Sequence, residues 1–388
     1  MAAPPARADE AEQYRFRMSK LTFSMPFELV DDRVIIEGRI NGRGPYHFIF
    51  DTGGYGQISL DVAHALNLKL EGEEQSGGVG EKTVTASGVT LNDLEFGDIH
   101  ITNLSIHAFD YSDNRYVFGS HPIDGVIGLP IFENAVVRID YDKRQVTFTN
   151  PANFANPGAG QAVAFERSES TFGPMVQGSI DGVQGRFMID TGARSTLLLA
   201  GPFVTANDLR KKYAPRIDAV TGWGIGGPVR SQVTRVKSLT LGPLAVRDVV
   251  AFLSLQKSGS LATSPYAGLV GAGVLKQFTW TFDYSRNQML VEKSELNGKR
   301  DLYDRAGMWL AGSEDHRRFE VYDVVTGGPA AEAGIQVGDQ VLAIDDQPVR
   351  DLLAVRAKLK DPATLNVKLR VHSKSGDRDV TLTLRDLT

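Results

Sequence analysis

Two copies of the tripeptide Asp-Thr-Gly, Asp51-Thr52-Gly53 and Asp190-Thr191-Gly192, are the residues of this 388-residue chain best suited to chemistry. Each ends an apolar run, Tyr46-His47-Phe48-Ile49-Phe50 or Phe187-Met188-Ile189, rich in the aromatic and β-branched residues that suit a pleated strand. Two carboxylates on two matched strands imply one shared site. Held about 3 Å apart they cannot both ionise, so they keep one proton between them, one member acting as base and the other as acid. A single copy would carry no such message, because Asp and Gly are ordinary residues for the turn that ends a strand.

The copies sit inside a longer internal repeat. Upstream, Ile40-Asn41-Gly42 matches Ile180-Asp181-Gly182, and Asn-Gly or Asp-Gly closes a two-residue hairpin because both tolerate positive φ. Downstream, residues 125–148 (GVIGLPIFENAVVRIDYDKRQVTF) align without a gap on residues 268–291 (GLVGAGVLKQFTWTFDYSRNQMLV), so that Gly125, Gly128, Asp140 and Tyr141 recur as Gly268, Gly271, Asp283 and Tyr284. The step from aspartate to glycine motif is 74 residues in one copy (51 to 125) and 78 in the other (190 to 268).

An apolar strand, Asp-Thr-Gly, a Gly-rich hairpin and then apolar-Gly-apolar-apolar-Gly resembles the half-unit of pepsin-like and retropepsin-like aspartic proteases. The resemblance covers roughly residues 30–292, with both halves in one chain, and bacterial retropepsin-like proteins are the nearest in pattern. It implies a mainly β, bilobal fold in which Asp51 and Asp190 are catalytic. A water between them loses a proton to the ionised member as it attacks a peptide carbonyl, and the protonated member hydrogen-bonds the developing oxyanion. No metal or cofactor is required. Thr52 and Thr191 would cross-link the two loops, and Gly53 and Gly192 would let the backbone approach the carboxylates.

The copies diverge after the shared tripeptide. The second continues Ala193-Arg194-Ser195-Thr196, as the family does, whereas the first continues Gly54-Tyr55-Gly56-Gln57. Extra glycine loosens a loop unless packing holds it, so a catalytically weak peptide-binding protein, or a scaffold of the cell envelope, is the competing reading. Between each aspartate and its glycine motif lies a second Gly-rich stretch, Gly77-Gly78-Val79-Gly80 and Gly222-Trp223-Gly224-Ile225-Gly226-Gly227. These resemble flap tips, with Gly78, Gly80, Trp223 and Gly224 placed to meet substrate, although ordinary loops are an equal reading for the first. Gly222, Gly224 and Gly227 also satisfy G-x-G-x-x-G, but an extended segment follows where a nucleotide site needs a helix. The seven histidines show no metal-ligand spacing, and the absence of cysteine excludes thiol catalysis. His47 reads as structural.

Past a polar stretch the periodicity changes. Residues 327–349 (GGPAAEAGIQVGDQVLAIDDQPV) resemble a PDZ domain of the bacterial type, and residues 351–360 put Leu352, Val355 and Leu359 on one helical face that stops before Pro362. The resemblance implies a small α+β domain that binds an extended peptide or protein partner, through the loop Gly307-Met308-Trp309-Leu310 and the helix positions Leu352 and Val355. Trp309 stands where such loops usually carry glycine, so a domain docked on the lobes is the alternative. The expected division is 1–24 as an N-terminal, flexible segment, 25–150 and 151–292 as the two lobes, 293–305 as a linker and 306–388 as the PDZ domain. On that division the last domain recruits substrate, and a chain ending near Lys293 still cleaves short peptides.

Bulk properties narrow the choice further. A net charge of −5 without a basic stripe argues against nucleic acid as a partner, and no run of 18 apolar residues exists to cross a membrane. Residues 6–8, Ala6-Arg7-Ala8, have the small-x-small form of a leader cleavage site. With the PDZ type, this favours the periplasm or secretion over the cytoplasm.

Overall fold

Asn41-Gly42 takes φ of 51° and 73°, and Asp181-Gly182 takes 45° and 84°, the positive values a two-residue hairpin turn requires. In the computed structural model of the chain, which describes residues 14–168, 171–214, 217–313 and 318–388, these turns fold Arg33–Ile40 on Arg43–Phe50 and Thr171–Ile180 on Val183–Ile189. The short strand Gly125–Ile127 then inserts between Arg43–Phe50, in parallel, and Gly56–Ser59, antiparallel. Gly268–Val270 does the same between Val183–Ile189 and Leu197–Leu199. Glycine must follow each inserted strand. A Cβ on Gly128 would lie closer than 3.0 Å to the carbonyl oxygens of Asp51 and Gly54, and one on Gly271 would crowd those of Ser195 and Ala193 in the same way.

The lobes are joined by a six-stranded sheet to which both contribute. Its order is Gln161–Ala164, Gln288–Lys293, Phe278–Asp283, Val136–Asp140, Gln145–Thr149 and Thr22–Pro26. At its centre Arg138 pairs with Thr281, and the step from 138 to 281 is the same 143 residues that takes Gly125 to Gly268. Each residue thus faces its own repeat mate, so a local twofold axis passes through this pair. Phe50 stacks on Phe132 at 4.6 Å between ring centroids, Phe132 meets Phe282 of this sheet edge-on at 5.4 Å, and one buried apolar cluster runs through both lobes.

Two expectations change. The N-terminal segment is strand where it is described: Arg15–Met18 pairs with Ile99–Phe109, and Thr22–Pro26 with Gln145–Thr149. Residues 1–13 lie outside the described residues. The polar stretch 293–305 is bound down rather than free, because its charges find partners. Arg300 pairs with Asp248 and Asp386 at 2.8 and 2.9 Å, Asp301 accepts from Thr196 and from Lys360, and the buried Arg305 donates to the carbonyl of Thr364 at 2.7 Å.

After it comes a sheet in the order Met308–Gly312, Phe319–Val324, Gln340–Ile344, Asn366–Ser373 and Gly376–Thr383. The helix Leu352–Lys360 packs on this sheet, as does the one-turn helix Pro329–Glu332; the first turn of the longer one is capped by Asp351 Oδ1, which accepts from the N–H of Leu353 at 2.8 Å. No helix among the described residues is long and apolar enough to cross a membrane.

Gly128→Ala and Gly271→Ala should each destabilise the protein by about 2 kcal/mol or more, since the new methyl meets backbone and not a movable side chain. Gly77→Ala, which meets nothing within 4 Å and carries no positive φ, should stay within about 0.5 kcal/mol of the parent. Urea unfolding midpoints of the three variants make the comparison.

Candidate active site

The strands Arg43–Phe50 and Val183–Ile189 deliver Asp51 and Asp190 to one point, where both carboxyl groups crowd Gly53 and come within hydrogen-bonding reach of each other. Each loop also binds its own acid. The N–H of Gly53 donates to Asp51 Oδ1 at 2.7 Å, and that of Gly192 donates to Asp190 Oδ1 at 2.9 Å. A Cβ on Gly192 would run into the Asp51 carboxyl group. Behind the pair, Thr52 Oγ1 donates to the carbonyl of Ile189 at 2.7 Å and accepts from the N–H of Thr191 at 3.1 Å. Thr191 Oγ1 mirrors this, donating to the carbonyl of Phe50 at 2.7 Å and accepting from the N–H of Thr52 at 3.0 Å. Both threonines are buried, so these four bonds hold the two loops at a set spacing.

Burial is the largest influence on both acids, because it disfavours charge. It pushes Asp190 up, and the adjacent Asp51 pushes it further, well above the ordinary carboxylate range. Asp51 is raised as well, again chiefly by burial, with the Gly53 N–H opposing. Both shifts favour the protonated form, so the pair holds a proton to higher pH than a free carboxylate does.

A buried cation, Arg33, pulls both values down. Its Nε donates to the Gly192 carbonyl at 2.8 Å, its Nη1 to Asp31 Oδ2 at 2.6 Å, and its guanidinium lies 5.1 Å from the centre of the Phe118 ring. Asp31 in turn accepts from Arg194 Nε at 2.8 Å and stands 3.5 Å from Arg356 Nη1. Sequence reasoning missed Arg33. Its only signal is a charge at the head of the apolar run Val34-Ile35-Ile36, which reads as the polar end of a turn.

Above the acids is a cavity of about 910 Å³. Tyr55, Phe118, Phe172, Leu198, Ile225 and Leu269 contribute to its walls. Apolar walls around a few convergent polar groups are usual for a ligand site. The glycines after Asp51 are held by packing: a Cβ on Gly54 would press on Asp51 Oδ2 and Val126, and one on Gly56 on Ile106.

The two Gly-rich hairpin tips meet over this cavity. The N–H of Gly80 donates to the Ile225 carbonyl and that of Lys82 to the Gly226 carbonyl, both at 3.0 Å. Gly78 and Gly224 border the cavity, whereas Gly80 lies in the tip-to-tip contact, where a Cβ would strike Gly226. Trp223 borders it too, yet its ring is taken up by Tyr116, stacked at 4.4 Å, and by Tyr322 edge-on at 5.1 Å. His47 Nδ1 faces Asp124 at 3.1 Å.

The PDZ residues are placed differently from the expectation. Gly307-Met308-Trp309-Leu310 forms no open loop, because Met308–Gly312 is a strand. Met308, Leu310, Leu352 and Val355 are buried in the core of their own domain. Trp309 points away from that core, into contact with Val220 and Tyr116.

Residues 36–131 and again 176–272 match the aspartyl protease family, so the protein is of the two-lobed aspartyl protease type, one match per repeat. Residues 320–372 match the PDZ domain. The chain is thus an aspartyl-protease-type protein with a PDZ domain at its C-terminal side. Among solved structures, it is similar to the aspartic proteinase from Irpex lacteus at 13% identity and a TM-score of 0.44, over 72% of this chain and 99% of that one. No curated protein matches it.

Thr52→Val should destabilise the protein by about 2–5 kcal/mol, because it strands the buried Ile189 carbonyl and Thr191 N–H together. Thr52→Ser keeps the hydroxyl and should cost about 1 kcal/mol or less. Chemical unfolding of the two variants side by side tests the cross-link.

Proposed function

We propose that the protein is an aspartic endopeptidase that hydrolyses extended peptide segments with a water activated between Asp51 and Asp190. The observation that carries this is the pair of adjacent buried acids, both shifted toward the protonated form, at the base of a largely apolar cavity. The ionised member of the pair takes a proton from the water as the water oxygen bonds to the peptide carbonyl carbon. The protonated member donates its hydrogen bond to the carbonyl oxygen as negative charge builds there. Collapse of the tetrahedral adduct breaks the C–N bond, and the amine leaves with the proton held by the pair. The hairpin tips exclude bulk water while this happens and must part to admit a chain.

Asp51→Asn and Asp190→Asn should each lower kcat/KM by about 10³-fold or more while the fold persists by circular dichroism. A diverse peptide library with cut sites read by mass spectrometry supplies the substrate. Substantial turnover in either variant would sink the shared-pair mechanism.

The pH profile should be bell-shaped. Activity is lost on the acid side as the pair gains its second proton and on the alkaline side as it loses the one it shares. Both values are raised, so the maximum should fall between mildly acidic and neutral pH, and an optimum below about pH 3 would contradict this. Arg33→Met removes a cation that favours both charged forms, so both limbs should move to higher pH in the same assay.

A further inference from the structure

We propose that the PDZ domain is a built-in part of the active site, in which Arg356 acts as a positioning residue that holds Arg33 against the Asp190 loop. The strand Met308–Gly312 is the end strand of its sheet, with the helix Leu352–Lys360 beside it, and this is where a PDZ domain adds a peptide as an extra strand. Here lobe one occupies the place with its own segment Arg115–Phe118. Trp309 Nε1 donates to the Tyr116 carbonyl at 3.2 Å. Arg356 Nη2 donates to the same carbonyl at 2.8 Å and to that of Leu310 at 2.6 Å, and its Nη1 donates to the Val117 carbonyl at 2.7 Å. Leu353 packs among Val117 and Phe118. A free peptide would have to displace all of this, so the recruitment role expected from the motif gives way to an internal one.

Two routes lead from Arg356 to Arg33. One runs through the clamped segment to Phe118, on whose ring Arg33 lies. The other runs through Asp31, which both arginines face. The charged groups around Arg356 are Asp31 and Asp304, which stabilise its cation, and Arg194 and Arg33, which oppose it. Burial lowers Arg356 to about 10, so it stays charged at neutral pH. Its guanidinium lies 4.4 Å from the centre of the Trp309 ring, which Arg194 also approaches at 5.2 Å.

The kinetic half of the test rests on the endopeptidase reading, and the spectroscopic half does not. In the full chain, Arg356→Met, Arg356→Lys, Arg33→Met and the Arg33→Met/Arg356→Met pair are compared with the parent. Peptide kcat and KM are measured across pH, and the dyad's carboxylic-acid band is titrated by infrared difference spectroscopy, assigned by its loss in Asp190→Asn. Arg356→Met should lower kcat about tenfold or more with KM little changed, since a small misplacement at the reacting groups is costly. It should also move the titration midpoint up by about half a pH unit, as loss of a positioned cation favours the neutral carboxyl. Arg356→Lys should recover part of both effects, and the double variant should equal Arg33→Met alone. A lower melting temperature with parental kcat and an unmoved midpoint in Arg356→Met and Arg356→Lys would overturn the proposal. A parent that cleaves nothing, with a midpoint that still moves, would refute the endopeptidase reading and support the wiring.

Discussion

The rest of the structure depends on keeping two like-charged acids within hydrogen-bond distance inside the protein. Two full charges about 3 Å apart repel by roughly 5 kcal/mol even at the effective dielectric of a hydrated site, and burial adds its own penalty. Retaining a proton relieves this repulsion, in keeping with the upward shift of both acids. Holding the arrangement needs restraint from behind and not from the cavity side. The reciprocal Thr52 and Thr191 bonds provide it without adding charge.

Local twofold symmetry is the economical way to make such a pair, because one loop design serves both sides. The axis through Arg138 and Thr281 places the acids as mates, and the crowding at Gly128 and Gly271 shows how closely each loop sits on the strand inserted beneath it. Symmetry fails where the surroundings differ. Lobe two follows its acid with Ala193-Arg194, whose arginine reaches Asp31. Lobe one follows with glycines that fill tight space next to Asp51 and Ile106.

The buried carboxylate of Asp31 gathers Arg33 from lobe one, Arg194 from lobe two and Arg356 from the PDZ domain. Asp32, its neighbour, likewise pairs with Lys276 of lobe two and Lys360 of the PDZ domain. Taking such charges out of water costs several kcal/mol each, which pairing with opposite charges offsets. Here they set how three units meet, next to the loop that carries Asp190.

How much of this was legible in the sequence follows from distance along the chain. The acids, the threonines, the hairpin turns and the two halves could be read because each is a local pattern repeated at a matched spacing, and repetition separates a paired Asp-Thr-Gly from an ordinary turn. The PDZ domain was legible for the same reason, its glycines and apolar faces being local signals. What tertiary structure alone decided are contacts between residues far apart. Arg33 bonds Gly192, Trp223 is taken up by Tyr116 and Tyr322, and Trp309 turns outward onto lobe one. An arginine at the start of a strand looks the same whether it faces water or a buried carboxylate, since its partner comes from an unrelated part of the chain. The polar stretch 293–305 misled for that reason: composition reports that a segment carries charge, and only the folded chain determines whether opposite charges are waiting to bind it.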